Sequence, residues 1–305
     1  MIVHLLIRKI ASFFLILLSG FFLVRRGVLK SEDSQALSKI SLYLLVPGVI
    51  LSAFQVDYSD EARSGLMITF AASILIMGAQ ILLNKALRKP LRLESVEQVS
   101  VVYSNAGNLV VPLVISVLGR EWAIYSCSFM AVQQILFWTH CKSVLIGETK
   151  FSLRRIVANV NVLSIVLGLV LFLTGQRIPG FVGDTVETFG SMNGAVCMLL
   201  MGILIGGMKL KNVFTYKRVW LIAALRLIVV PLLVLLLLKG TTLSRYGDGA
   251  LLVTFLATTT PPASTLTSMS LVYGADAEYA SSINVVTTLC GIVTMPIMVF
   301  LYTIL

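Results

Sequence analysis

The segment Tyr103–Pro112 reads YSNAGNLVVP and interrupts a long apolar stretch of the chain. It carries Asn105, Gly107 and Asn108 near its centre and ends in Pro112. Asn, Gly and Pro are weak helix formers, and hydrocarbon offers no hydrogen bonds to backbone that has left a helix. Such an interruption survives in a membrane only where protein, water or substrate satisfies the exposed backbone groups. The segment therefore predicts a broken membrane helix.

The composition indicates an integral membrane protein. Hydrophobic residues make up 57% of the 305 residues, charged residues make up 12%, and the mean hydropathy is +0.95. A soluble domain carries about 25% charged residues. The net charge of +10 comes from basic residues at the ends of apolar segments, which is typical of topology signals and not of a nucleic-acid-binding surface. The four cysteines lie in apolar segments without metal-binding spacing, so we predict no cofactor, no metal site and no nucleic-acid partner.

Ten apolar windows approach the length of about 20 residues that a spanning helix needs. They lie near residues 5–24, 36–56, 62–83, 96–118, 122–144, 157–174, 185–207, 219–238, 249–272 and 279–304. We therefore predict an all-α membrane protein with ten transmembrane helices. The first, third, fifth and seventh connections hold 15 of the 24 Lys and Arg residues. Since basic connections face the cytoplasm, both termini are predicted on the non-cytoplasmic side of the cell membrane.

A second polar interruption lies in the ninth window, where Leu256–Ser268 reads LATTTPPASTLTS. Pro262 has no N–H and its ring clashes with the preceding turn, so the helix cannot run through unbroken. Asn108 and Pro261 lie 153 positions apart, and the first and sixth windows start about as far apart. This predicts two similar halves of five helices, which insert with opposite orientations because five is odd. The predicted units are a first repeat, residues 1–145, a short cytoplasmic connection, residues 146–156, and a second repeat, residues 157–305.

Paired interruptions in two inverted halves are typical of the substrate site of a transporter. A helix N-terminus carries about half a positive elementary charge, so two of them meeting near mid-membrane favour an anion, typically a carboxylate. The residues predicted to form the site are those of the two interruptions, namely Asn105, Gly107, Asn108, Pro112, Thr259, Thr260, Pro261 and Pro262.

The same residues resemble the auxin efflux carrier family of membrane transporters. SNAGNLVVPL, residues 104–113, is similar to the family pattern G-N-x-G-N-x-x-x-P-L, with Ser104 where the family often has Gly. TTTPPAS, residues 258–264, resembles the second crossover of the family. RRGVL, LLVPGVIL, MGILIGG, RLIVVPL and GIVTMPI occur in the family's order along the whole chain.

The resemblance implies two inverted five-helix repeats whose fourth and ninth helices cross where each unwinds. It also implies a scaffold of the first two helices of each repeat, and a mobile domain of the other three that carries substrate in an elevator-like movement. The halves are joined only by the segment from Gly147 to Ala158, so the chain is similar to the compact microbial members, whose substrates are dicarboxylates such as malate or malonate. Asn193 and Gly194 stand where the family pattern leads us to expect a Pro.

Five further polar residues lie within or at the edges of the windows. Gln133 in the fifth window and Asn284 in the tenth are predicted either to contact substrate or to support the crossing. Arg226, inside the eighth window, is predicted either to meet a substrate carboxylate or to extend toward the cytoplasmic headgroups. Glu97 and His140 are predicted either to take up a coupling proton or to be solvated near a membrane surface.

These observations predict a secondary transporter of small organic anions, with the substrate and the lipid bilayer as partners and a homodimer left open. The first alternative is a sodium-coupled symporter of larger organic anions, similar to bile-acid symporters and built on a similar crossover. The remote alternative is an intramembrane enzyme, since YGDGA, residues 246–250, resembles part of an aspartyl protease motif. No second intramembrane Asp completes the dyad that this chemistry needs, so we do not expect an enzyme.

Overall fold

The computed structural model describes residues 2–147, 158–208, 213, 216–241 and 244–305. The predicted connection between the halves lies outside these residues from position 148 onward, as do Lys209 and Lys211 of the seventh connection. All regular elements in the described part of the chain are helices.

The α-helices of the described residues are α1 (Ile2–Arg25), α2 (Ser34–Ile40), α3 (Val46–Ala53), α4 (Asp60–Arg88), α5 (Ser95–Val102), α6 (Val111–Val117), α7 (Ala123–Leu136), α8 (Lys142–Ile146), α9 (Val160–Leu173), α10 (Gly180–Gly207), α11 (Lys217–Ala224), α12 (Val230–Gly240), α13 (Ser244–Thr259), α14 (Thr265–Val272) and α15 (Ala277–Ile304). Short 3-10 turns form at Ser31–Asp33 and Arg120–Trp122, and π turns form at Ser41–Leu45, Ala106–Val110, Phe137–Cys141 and Leu225–Val229.

Six helices of the described residues are long and apolar enough to cross a membrane. They are Val3–Arg25, Ser31–Ala53, Asp60–Arg88, Gly180–Gly207, Lys217–Gly240 and Ala277–Ile304. Four of the ten predicted windows are absent from this set. Those near 96–118 and 249–272 are each split in two, the one near 157–174 contains a helix of only 14 residues, Val160–Leu173, and the one near 122–144 is also missing from the six. Large apolar side chains such as Leu15, Met67 and Leu236 are about two-thirds exposed, at 65%, 68% and 69%, as contact with lipid requires. The predicted all-α membrane protein is confirmed.

Three of the π turns stand directly before a Val-Pro pair, at Pro47, Pro112 and Pro231. Proline cannot donate to the carbonyl four residues back, and its ring crowds that carbonyl. A π turn widens the helix locally and accommodates the missing bond. The helices at Pro47 and Pro231 consequently continue through the proline, and Pro296 lies inside α15.

The helices pack in two groups. Group one consists of α1, α2, α3, α9 and α10, and group two consists of α4 to α8 and α11 to α15. Within group one, α1 lies so close to α10 that a Cβ on Gly202 would overlap the carbonyl oxygen of Leu17. A Cβ on Gly206 would lie 2.8 Å from Cβ of Val24. A G-x-x-x-G spacing such as that of Gly202 and Gly206 is typical of close helix packing in membranes.

The Lys- and Arg-rich connections that are described lie at one end of the molecule. Arg25 Nη2 donates to the carbonyl oxygen of Met208 at 3.0 Å, which joins the first and seventh connections. Arg218 Nη2 donates to the carbonyl oxygens of Leu91 and Arg92 at 3.1 Å, which joins the seventh and third. We call the end that carries these five residues the basic end.

The even-numbered connections meet at the opposite end. Arg177 Nη2 in the sixth lies 2.5 Å from Asp57 Oδ1 in the second. Arg120 in the fourth pairs with Glu187 on α10, with Nη1 and Oε1 2.6 Å apart. The first of these pairs lies between two connecting segments, whereas the second joins group two to group one.

Candidate functional site

Two broken helices form the centre of the molecule. The first helix ends at Val102 and resumes with the π turn at Ala106, which leaves residues 103–105, the first break, outside any helix. The second ends at Thr259 and resumes at Thr265, so residues 260–264 form the second break.

The first break lies earlier in the chain than predicted. Asn108, its predicted centre, is inside the π turn Ala106–Val110. The helix resumes early because the carbonyl oxygen of Asn105 already accepts from the N–H of Leu109 at 3.1 Å. Weak helix formers are tolerated in this first turn, whose N–H groups have no partner within the helix in any case.

The two breaks lie against each other and pair through their backbones. The N–H of Asn105 donates to the carbonyl oxygen of Pro261 at 3.0 Å. The N–H of Ala263 donates to the carbonyl oxygen of Tyr103 at 3.1 Å. Each break thus supplies partners that hydrocarbon cannot provide.

One amide side chain supports each break. Gln133 on α7 accepts at Oε1 from the N–H and the hydroxyl of Ser104, at 3.0 and 2.8 Å, and its Nε2 donates to the carbonyl oxygen of Ser104 at 2.8 Å. Asn284 on α15 donates from Nδ2 to the carbonyl oxygen of Pro262 at 3.4 Å. Of the two roles predicted for these amides, support of the crossing is the one that these contacts provide.

Arg226 lies beneath the crossing, on the π turn between α11 and α12, and is 0% exposed. Its Nε donates to the carbonyl oxygen of Thr260 at 3.0 Å. Its Nη1 donates to the carbonyl oxygens of Val101 and Val102, at 3.1 and 3.4 Å. The guanidinium therefore touches the carbonyl ends of both helices that lead into the breaks.

A polar cavity of about 60 Å³ lies on one side of the crossing. Its lining includes Gly107 and the polar side chains of Ser41, Asn105, Asn108, Gln133, Gln134, Asn161 and Ser264. Asn105 and Ser264 are the N-cap residues directly before the two resumed half-helices, so both half-helix N-termini reach this cavity. Among the described residues, its lining contains no Lys, Arg, Asp or Glu.

Asn108 links the two half-helix N-termini across the polar cavity. Its Nδ2 donates to the hydroxyl oxygen of Ser264 at 3.2 Å, while its Oδ1 is buried without a hydrogen-bond partner among the described residues. Oδ1 of Asn161 is unpartnered in the same way. These two unpaired amide oxygens accept hydrogen bonds, whereas an amide that turns by about 180° would present its N–H groups to an acceptor in the cavity.

The opposite side of the crossing is apolar. A cavity of about 40 Å³ is lined there by side chains such as Ile10, Phe13 and Met295, together with Asn105 and Pro261. The two sides of the crossing thus differ in chemistry, and most of the polar side chains line the polar side.

Group one contacts the first broken helix through the two residues that depart from the family pattern. Asn193 on α10 donates from Nδ2 to the carbonyl oxygen of Gly107 at 3.3 Å. The neighbouring Gly194 leaves space for Pro112, since a Cβ there would lie 2.8 Å from Cβ of Pro112. At this contact between α10 and the first broken helix, the hydrogen bond of Asn193 and the close approach of Gly194 to Pro112 thus stand in place of the expected proline.

Thr259 and Thr260 lie at the second break but line neither cavity. Their hydroxyls donate back to carbonyl oxygens of their own helix, at 2.9 and 3.0 Å. Ser264 and Thr265, which follow the break, line the polar cavity instead. Sequence reasoning missed both, although Ser after a helix break is a strong N-cap signal.

Glu97 and His140 lie away from both cavities. The carboxylate of Glu97 is 0% exposed and accepts from Nε and Nη2 of Arg218, both at 2.6 Å, and from the hydroxyl of Tyr279 at 2.7 Å. It is therefore not solvated, which was one of the two roles predicted for it. His140 Nδ1 lies 2.9 Å from the hydroxyl oxygen of Tyr103, next to the first break.

Most of the chain matches one family of membrane proteins. The family model described as "Membrane transport protein" matches residues 5–148 and 142–299, so the matched part includes both breaks and all the residues placed around them above. Among curated proteins, no match is found. The chain therefore belongs to the membrane transport protein family, the auxin efflux carrier-like transporters.

Proposed function

We propose that this chain is a secondary transporter that moves small organic anions, dicarboxylates such as malate or malonate in particular, across the cell membrane by an elevator-type movement. The observation that carries the proposal is the polar cavity, where two half-helix N-termini meet beside the amide side chains of Asn108 and Asn161.

The electrostatics of the polar cavity favour an anion. Each half-helix N-terminus contributes about half a positive elementary charge, and its N–H groups lack helical partners. Since no charged side chain among the described residues lines the cavity, these N–H groups and the neighbouring amides and hydroxyls are the available partners for a carboxylate.

The size of the polar cavity limits how much of a substrate it can hold. A cavity of about 60 Å³ is well below the roughly 150 Å³ of an engineered protein cavity that binds benzene, so it has room for one carboxylate group and not for a whole dicarboxylate. The rest of the substrate then needs space that opens when the two helix groups separate. We assign group one as the scaffold and group two as the mobile domain, which moves the crossing and its bound anion together.

Equivalent contacts in the two halves support an arrangement of ten spans as two inverted five-helix repeats. Gln133 and Asn284 lie 151 positions apart and support the two breaks in the same way. Ser41 and Asn193 lie 152 positions apart in the sequence, and the hydroxyl of Ser41 donates to Oδ1 of Asn193 at 3.3 Å. With the basic end in the cytoplasm, both termini lie on the other side of the cell membrane.

Counterflow tests the proposed function and the position of the site. Proteoliposomes are loaded with unlabelled malate, malonate, succinate or indole-3-acetate, and entry of the labelled compound is followed. We expect counterflow with a dicarboxylate, and its loss in Asn108→Ala, because the variant removes the amide that links the two half-helix N-termini. Thr188→Ala is the control, since its exposed hydroxyl bonds only to its own helix.

Three results would contradict this proposal at different points. Full counterflow in Asn108→Ala would show that the site lies elsewhere. Folded protein that gives no counterflow with any of the four compounds would exclude small carboxylates as substrates. Uptake that depends on sodium would favour the symporter of larger anions.

A second prediction concerns the movement. The ion pair of Arg120 with Glu187 joins the two groups at the end opposite the basic end, and Arg120 Nη2 also donates to the hydroxyl of Ser52 at 3.2 Å. An elevator movement must break these contacts in every cycle. The two side chains are 46% and 53% exposed, so the pair contributes at most about 1 kcal/mol, equivalent to about a fivefold change in population.

We therefore expect Glu187→Gln to change the counterflow rate by up to about fivefold. Arg120→Gln should have an equal or somewhat larger effect because it also removes the bond to Ser52, and the double variant should change the rate no further than Arg120→Gln does. Arg177→Gln is the control, since it removes an exposed ion pair at the same end that lies between connecting segments. Additive effects of the two single substitutions would show that the pair does not act as a unit.

A further inference from the structure

The carbonyl ends of the two broken helices meet at one buried point. Helices α5 and α13 both run toward the crossing, so their last carbonyl oxygens have no N–H partners within the helix. Each C-terminus carries about half a negative elementary charge. Two of them close together in a region without water repel each other and need a positive partner.

Arg226 supplies this positive partner, because its single positive charge equals the sum of the two negative half charges. Its guanidinium bonds carbonyl oxygens from both helix ends, those of Val101 and Val102 on one side and of Thr260 on the other. Among the described residues it forms no ion pair with an acidic side chain. A full positive charge buried at 0% exposure is tolerable only where it is compensated, and two half charges supply that compensation.

We infer that Arg226 is a built-in cation of the crossing, a positioning residue that holds the carbonyl ends of both broken helices together and takes the place of a coupling sodium ion there. Carbonyl oxygens at half-helix C-termini are the groups that bind coupling cations in transporters with broken helices. Here the guanidinium of Arg226 already bonds three of them.

The arrangement divides the four helix ends of the crossing by charge. The two negative ends face Arg226, and the two positive ends reach the polar cavity, whose lining does not include Arg226. Without the guanidinium, the negative ends would lie close to the site and weaken its attraction for an anion. The transport part of this inference rests on the proposed function, whereas the structural part does not.

Thermal unfolding of the purified protein tests the structural part without any substrate. We expect Arg226→Met, which keeps much of the length but removes the charge, to lower Tm by about 5–10 °C. Arg226→Lys should recover most of that loss because it restores a cation. In Arg226→Ala, millimolar guanidinium should raise Tm, because the free ion can occupy the vacated position, and it should not raise the Tm of wild type or of Gly78→Ala.

Cation dependence tests the replacement of sodium. Wild type should show the same Tm, and the same counterflow where a substrate has been found, in sodium chloride and in choline chloride. Arg226→Ala should be stabilised by sodium over choline, since three carbonyl oxygens then lack their cation. If Arg226→Ala does not fold, the comparison of Arg226→Lys with Arg226→Met decides.

Three results would overturn the inference. The first is a Tm of Arg226→Met equal to that of wild type, the second is a Tm of Arg226→Lys no higher than that of Arg226→Met, and the third is stabilisation of wild type by sodium over choline. The first two would show that the charge is not needed, and the third would show that the protein still binds sodium. None of them depends on transport, so a failure here is distinct from a failure of the proposed function.

Discussion

Gly202→Ala is expected to reduce the yield of folded protein to background. The added methyl group would overlap the carbonyl oxygen of Leu17, which is backbone and cannot move away by changing a rotamer. Helices α1 and α10 would have to separate along the closest contact of group one, at a cost of about 3 kcal/mol or more. Total stabilities are about 5–15 kcal/mol, so this cost is a large fraction.

The measurement is the amount of monodisperse protein after detergent extraction and size-exclusion chromatography. Gly78→Ala is the matched control, because no heavy atom lies within 4 Å of an ideal Cβ on Gly78 in the middle of α4. Alanine is the better helix former by about 1 kcal/mol, so the control should be at least as stable as wild type. Normal yield and Tm for Gly202→Ala would show that α1 and α10 are not packed this closely.

Gln133→Leu is expected to abolish counterflow and to lower Tm. The leucine has nearly the same size but cannot bond the N–H, hydroxyl and carbonyl groups of Ser104, which stay buried at 1% exposure. Each unsatisfied buried group costs about 1–3 kcal/mol. Because the N–H and C=O concerned belong to the first break, their loss distorts the crossing itself and moves the half-helix N-termini of the polar cavity.

Two further variants separate this effect from a general loss of polarity. Ser104→Ala removes only the hydroxyl and leaves both backbone bonds to Gln133, so it should cause a much smaller fall in Tm and retain counterflow. Gln134→Leu removes a neighbouring amide that lines the cavity without supporting the break, so it should keep the wild-type Tm. If Gln133→Leu and Gln134→Leu had the same Tm, the support assigned to Gln133 would be wrong.

Much of the fold follows from local chemistry that is readable in the chain. Long apolar segments must form helices in hydrocarbon, because only a helix satisfies its own backbone there. Pro262 has no N–H and therefore breaks its helix wherever that helix packs. The membrane class, the existence of two breaks and the family are accordingly settled by residue types and their order, and the structure and the comparison agree with them.

The position of the first break was less predictable. The polar residues Asn105, Gly107 and Asn108 mark the region, but the chain leaves the helix at residues 103–105 and Asn108 is helical again. Helix propensities of residues other than proline differ by at most about 1 kcal/mol, so they do not determine the residue at which this helix stops. Pairing with the second break determines it, through the contacts of Asn105 and Tyr103 with that break.

Residue types alone require that two helices break and that their exposed backbone groups have partners within the membrane. Which side chains those partners are depends on the packing of the helices, because the partners lie far away in the chain. Gln133 is 29 positions from Ser104, and Arg226 is 34 positions from Thr260 and 125 from Val101. The need for a hydrogen bond is a property of the local backbone, whereas the group that satisfies it depends on how distant helices pack.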